Sequence, residues 1–519
     1  MTTRHGPERP GGQGLDPNQE ESGNRAILAL LTDPEAAGHT DLVITQRDDA
    51  YEVWARRGMV RFERLDAAGR QTFRIVEQIG ANPIAAQAHD PIATCAAELA
   101  AAAASGHPTD DPDRAFIEPE QLSYPHAYER IAQLFDSPYA PDLVVSPKCY
   151  AFGLQPGQHG ALDVVQSRAP LAFAGPGIRP GLYDTAPRHV DIAPTVCHLL
   201  GLPPIDGRDW SGRTATERGV APDVYLQRQD GRVLDEILDD EGAPAARAYV
   251  VIFDGLSHSE LQWLLDHHDP GVRNLRRLLD RSARFRFGST VNFPTITWPS
   301  HSALLTGAWC GHHDIVNPTY YDRANRQALA PQGQTVMTES FLGAGVETLY
   351  EAVRRVRGAT ARTASIHEPQ GRGADHAPLE GRVLGPRARL KALTADFVAD
   401  ISPRWLADGH EAVHREALVD ARGLAQAVVL FDDDEHAPPV LTAHEFTLTD
   451  GAGHEYGPHS DGLREPWPSP IAGSASSSTC SPPRACSTRP CSSSPPITAW
   501  RRRTSPSPPT RPGIPSASA

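Results

Sequence analysis

Residues 247–260 read RAYVVIFDGLSHSE. A short continuous run of Val, Ile and Phe closed by Asp-Gly is the pattern of a fully buried strand in a parallel sheet, which is covered on both faces and needs no polar alternation. Asp254 then falls at the carboxyl end of that strand, the edge at which open α/β sheets bind ligands. The expected fold is therefore α/β, with a mostly parallel central sheet flanked by helices.

Further along, VRNLRRLLDRSA (272–283) is amphipathic at helical spacing and FRFGSTVNF (285–293) is strand-like. In PTITWPSHSALLTG (294–307), Pro299 suits the first turn of a helix, where its missing N–H costs nothing, so Thr297 falls at or just before the helix start. Two other stretches carry the same kind of chemistry: TDGAGHEYGPHSDG (449–462), with Asp450 and His454, and GQHGALD (157–163), with His159. Each is weak alone. A Thr at a helix start is usually an N-cap, and an Asp after a strand usually caps a turn. Asp450 and His454 are spaced to share a helix face, but so Gly-rich a stretch favours a loop, from which oxygen and imidazole ligands converge on a zinc-like ion.

Composition sets the bounds. At 519 residues the chain can bury a sizeable core, and 39% hydrophobic with 22% charged residues is ordinary for a globular protein. A net charge of -15 argues against a nucleic-acid polymer or an anionic membrane as the main partner, since both need a concentrated positive face. The start of the chain has no apolar leader and no run of about 18 or more apolar residues occurs, which gives a cytoplasmic expectation. The seven Cys show no CxxC spacing, so Cys95, Cys149, Cys197 and Cys310 read as small buried residues.

These signals divide the chain. Residues 1–24 are polar and Gly/Pro-rich and are expected to be disordered. Residues 25–120 form an accessory α+β region whose 28–90 part is strand-rich, and 121–204 alternate strand-like and helix-like runs. Residues 205–246 read as a polar connector, 247–463 carry Asp254, Thr297, Asp450 and His454, and 464–519 are a low-complexity Ser/Pro/Arg tail. In the 332–430 region, His367, Asp375 and His376 read as part of a polar surface loop, and His301, His312 and His313 as hydrogen-bonding or capping residues.

Taken together, NFPTITWPSHSALLTGAWCGHHDIVNP (292–318) and DGAGHEYGPHSD (450–461) resemble the alkaline phosphatase superfamily, in its type I phosphodiesterase and nucleotide pyrophosphatase branch. The resemblance implies an alkaline-phosphatase-like core and two divalent metal ions, zinc first. Thr297 would be the nucleophile and a ligand beside Asp254 on one ion, with Asp450 and His454 on the other. Asn317 would contact a phosphoryl oxygen. The implied substrate is a small phosphodiester or nucleotide pyrophosphate, cleaved through a phospho-threonine intermediate. Sulfatases of the superfamily need an Arg that TITWPSH lacks, while phosphonate and phosphomonoester hydrolysis remain as alternatives.

Two departures from the branch stand out. Its final metal-binding His lies near the C-terminus in a Gly-x-His-Gly segment, whereas here the matching stretch at 157–204 precedes Asp254, as in a circular permutation that puts His159 on the ion with Asp450 and His454. The branch also has an Asp-His-Gly-Met segment, which is missing. Read one base back, CSSSPPITAW (491–500) permits LFVVTADHGM, and the residues from Pro466 permit an amphipathic helix, so a single-base slip near Glu465 is expected. The printed chain would then be a catalytically impaired remnant or a phosphate-ligand-binding protein with an incomplete metal shell.

Overall fold

The computed structural model describes residues 26–33, 38–67, 69–104, 117–149, 156–239, 242–333, 338–401, 411–433 and 435–464. The disorder expected at 1–24 and the slip expected beyond Arg464 fall outside the described residues.

Four strands, β1 (Thr40–Arg47), β2 (Ala50–Ala55), β3 (Gly58–Ala67) and β4 (Arg70–Gly80), form an antiparallel meander. Leu42 and Ile44, Tyr51 and Val53, and Val60 and Phe62 stand at alternate positions and join one core cluster on a single face, while Val43 and Glu52 between them are buried as well. The fifth strand, β5 (Val144–Pro147), pairs with β1, giving the order β4-β3-β2-β1-β5. That sheet crosses residue 120, so the accessory region is not closed there.

The helices that matter below are α1 (Cys95–Ala104), α2 (Ala127–Leu134), α3 (Ile192–Leu199), α4 (His258–Asp266), α5 (Thr297–Thr306), α6 (Glu411–Phe431) and α7 (Leu448–Tyr456). The second main sheet is parallel: β6 (Ala248–Phe253), β7 (Thr363–Ile366) and β8 (Leu441–Phe446), in the order β7-β8-β6. β8 is buried throughout, as a central strand should be. β6 departs from expectation, because Val250 and Ile252 pack on the core while Tyr249 and Val251 are 42% and 44% exposed. Its apolar run reads as a strand covered on both faces, yet among the described residues only one face is well covered.

Several pairings join distant parts of the chain. Ala283–Phe285 pairs antiparallel with Ala172–Phe173 and parallel with Gly181–Tyr183, and Ser289–Thr290 pairs with Arg168–Ala169. The architecture is thus α/β with mixed sheets, and strands from 168–183 are built together with strands from 283–290.

Two expectations fail. The 205–246 stretch is no free connector: Leu226, Leu234 and Ile237 are fully buried, and Asp230 accepts from Trp309 N at 2.7 Å and meets His312 at 2.6 Å. Isolated apolar residues among Asp, Arg and Gly have no period to betray them. His367 and His376 are also buried, both hydrogen-bonded to Gln426 of α6, at 3.0 and 2.9 Å. Their polar neighbours in sequence concealed a packed position. Cys95, Cys149, Cys197 and Cys310 are buried and free, as read.

Candidate active site

Asp254 follows β6 directly, and its N–H donates to Phe446 O of β8 at 2.9 Å, extending the sheet by one residue. α5 opens at Thr297 with Pro299 in its first turn, and the Thr297 hydroxyl donates to Asp254 Oδ2 at 3.2 Å. The hydroxyl therefore stands at a helix N-terminus, where backbone N–H groups and the helix dipole favour an anion.

Asp450 and His454 lie on a helix, not a loop. The carboxylate of Asp420, on α6, accepts the N–H groups of Thr447 and Leu448 at 2.8 and 3.3 Å, capping α7 from another helix. Burial of Gly451 and Ala452 then holds the Gly-rich turn against its neighbours. Propensity argued for a loop and tertiary packing overrode it. Four residues apart on one face, His454 Nε2 comes within 3.4 Å of Asp450 Oδ1.

His159 arrives from the other side of Asp254 in sequence, with Nε2 3.7 Å from the same Asp450 oxygen. Two glycines allow the approach. A Cβ on Gly157 would stand 2.0 Å from Gly453 O, so only glycine lets the 157–160 loop touch α7. Gly255, at φ +73°, lies where a Cβ would be 2.5 Å from Asp450 Cα. The donor atoms of His159, Asp450 and His454 all fall within 4.8 Å of one another.

This trio fits a divalent ion by its own hydrogen bonding. His159 Nδ1 meets Thr295 O at 3.0 Å and His454 Nδ1 meets Gly157 O at 2.8 Å. Carbonyls accept only, so both rings carry their proton on Nδ1 and turn an Nε2 lone pair toward Asp450, the orientation a metal-binding imidazole needs. Burial, followed by the Asp254 carboxylate, pushes Asp450 up to about 8. A proton there holds the place that a cation would take.

A second group forms around Asp254. His301, one helical turn after Thr297, places Nε2 3.7 Å from Asp254 and 3.8 Å from Glu445, while its Nδ1 meets Glu368 at 2.8 Å. Burial works against charge on His301, but Glu368 and Glu445 outweigh it and hold its pKa well above the ordinary imidazole value. Burial also opposes ionisation of Asp254, yet the His301 hydrogen bond and charge keep it below the usual carboxylate range. Glu445 is pushed well up, chiefly by burial.

His301 is thus more than the hydrogen-bonding neighbour its sequence suggested. Glu368 and Glu445 were missed altogether, although a signal existed: like Asp254, each lies at or just beyond the carboxyl end of a parallel strand. Asn317 is exposed and its amide donates to Thr319 O at 3.1 Å, a local contact that does not join it to either group. A cavity of about 600 Å³ lined by Arg64, Asp136, Arg213 and His312 includes none of these residues.

Residues 248–467 match the family model for type I phosphodiesterase / nucleotide pyrophosphatase. That part of the chain belongs to this family, and it holds Asp254, Thr297, Asp450 and His454 but not His159. Two solved structures of murine ectonucleotide pyrophosphatase / phosphodiesterase 5 are similar to it, one of them an inactive form in complex with AMP. Each shares 16% identity over 44% of this chain, with TM-scores of 0.29 and 0.27. The chain spans about half the length of these structures, 50% and 49%. No curated protein matches. No helix among the described residues is long and apolar enough to cross a membrane.

Proposed function

We propose that the chain is a metal-dependent hydrolase of phosphodiester or nucleotide pyrophosphate bonds, with Thr297 as nucleophile. The observation that carries this reading is the Thr297 hydroxyl on Asp254, at a helix N-terminus, in a family that matches residues 248–467. Thr297 Oγ1 attacks phosphorus as the bond to the leaving oxygen breaks, the hydroxyl proton goes to the departing group, and the phospho-threonine formed keeps the substrate's other ester group. Water then releases that phosphomonoester or nucleotide and restores the threonine hydroxyl. Asp254 accepts the hydroxyl hydrogen bond and aims the oxygen, while the first N–H groups of α5 receive the phosphoryl oxygens.

His159, Asp450 and His454 would hold one divalent ion, and the mixed nitrogen and oxygen donors suit zinc. Asp254 and Thr297 would hold a second. Bound ions would supply charge neutralisation on the phosphoryl oxygens and a lowered pKa for the attacking hydroxyl. The order of segments, with His159 ahead of Asp254, is read as a permuted family core.

One observation favours a second reading. The group around Asp254 neutralises itself, with an imidazole between carboxylates, and the Asp-His-Gly-Met segment does not occur in the sequence. A chain limited to one ion would bind phosphate ligands and turn them over poorly.

Hydrolysis of bis(p-nitrophenyl) phosphate by the zinc-supplemented full chain distinguishes the readings. The first expects turnover that falls on the order of 10⁴-fold or more in Thr297→Ala, as loss of a nucleophile does. Absence of turnover, with a metal held by His159, Asp450 and His454 but none at Asp254 and with phosphate binding retained, would establish the second. Turnover unchanged in Thr297→Ala would overturn the assignment of the nucleophile.

A further inference from the structure

Away from the active site, three segments far apart in sequence bring a thiol, an imidazole and two carboxylates together. Cys95 and Glu98 lie three residues apart on α1, Glu260 is on α4, and His459 follows the Gly457-Pro458 turn that ends α7. Cys95, Glu98, Glu260 and His459 are 2%, 2%, 3% and 8% exposed. Cys95 Sγ is 3.0 Å from His459 Nδ1 and 3.6 Å from Glu260 Oε2, and His459 Nδ1 is 2.5 Å from the same Glu260 oxygen. The other ring nitrogen, Nε2, is 2.6 Å from Glu98 Oε2.

We propose that Cys95, Glu260 and His459 are the ligands of a structural divalent metal site of zinc type, oriented by Glu98. Sulfur, nitrogen and oxygen donors are the set zinc takes from proteins. Around a tetrahedral zinc, such donors lie about 3.3–3.6 Å apart, so the three groups need to separate by less than about 1 Å to admit the ion. Glu98 on the far nitrogen completes the carboxylate–histidine–metal arrangement that fixes a ligand ring.

Charge also balances. The two carboxylates already have cationic partners, Arg168 near Glu98 at 3.7 Å and Arg464 on Glu260 at 2.7 Å. With both ring nitrogens of His459 against carboxylates, the metal-free ring is an imidazolium beside a thiol. A divalent ion replaces one proton from the ring and one from Cys95, so two charges enter as two leave and the buried total is unchanged.

The expected consequence is mechanical. His459 stands at φ +60°, a backbone conformation that non-glycine residues seldom adopt and that its partners must hold. The ion would clamp the turn after α7, the helix carrying Asp450 and His454, to α1 and α4.

Cobalt(II) titrated into the chelator-stripped full chain tests this, because the active-site donors include no sulfur. We expect thiolate-to-cobalt charge-transfer absorption that saturates with one ion, is lost in Cys95→Ser, persists in Asp450→Asn, and shows 10–100-fold weaker binding in Glu98→Gln. Absence of that absorption in the unmodified chain, or its survival in Cys95→Ser, overturns the site. Should Cys95→Ser fail to fold, zinc K-edge absorption of the unmodified chain decides: a shell containing sulfur supports the site, and one of nitrogen and oxygen alone overturns it.

Discussion

The two imidazole–carboxylate groups of the candidate active site are built from similar residues and behave differently. In the His159, Asp450 and His454 group, backbone carbonyls hold both rings, so each ring keeps a free lone pair facing one carboxyl. In the Asp254, His301 and Glu445 group, a carboxylate holds the ring, and the pair satisfies its own charge. A carbonyl orients an imidazole without neutralising anything, whereas Glu368 orients and neutralises at once. The first group is therefore prepared for a cation and the second must give up internal ion pairs to take one.

The largest break in this comparison is expected from Asp450→Asn. It should weaken zinc binding by more than about 100-fold, beyond the range seen for outer-shell partners, and isothermal titration on the full chain measures it. Glu368→Gln should act on the other group instead. Loss of one partner of a buried pair costs about 3–5 kcal/mol of stability, read by denaturant unfolding, while zinc affinity at the trio stays unchanged.

Gly157→Ala probes how the trio is brought together. With a Cβ 2.0 Å from Gly453 O the loop must back away, which should cost about 1–3 kcal/mol of stability and loosen zinc binding through His159. Proton competition sets the smallest and most graded effect. Asp450 titrates at about 8 and only its carboxylate binds a cation, so below that pH each zinc bound there displaces a proton. Zinc affinity should rise up to tenfold per pH unit toward pH 8 and then level. In Asp450→Asn that slope should disappear.

The sequence was informative where chemistry and local pattern coincide. The apolar run before Asp254 is a strand, and Pro299 dates the start of α5 to Thr297. It was least informative where a residue owes its place to a remote partner. Gly-rich 449–457 is helical because Asp420 caps it from α6, and the apolar residues of 205–246 are buried one at a time by elements they do not adjoin.

By itself, then, the sequence determined the position of Thr297 at a helix start, the carboxylate at a strand's end and the family match of residues 248–467, because these depend on neighbours within a few positions. Only the tertiary structure decided that His159 meets residues almost 300 positions away, that Glu368 and not a carbonyl holds His301, and that Cys95 faces His459. Those contacts are set by two glycines that permit backbones to touch and by cores that bury polar groups only in satisfied clusters, and neither leaves a period or a spacing to be read.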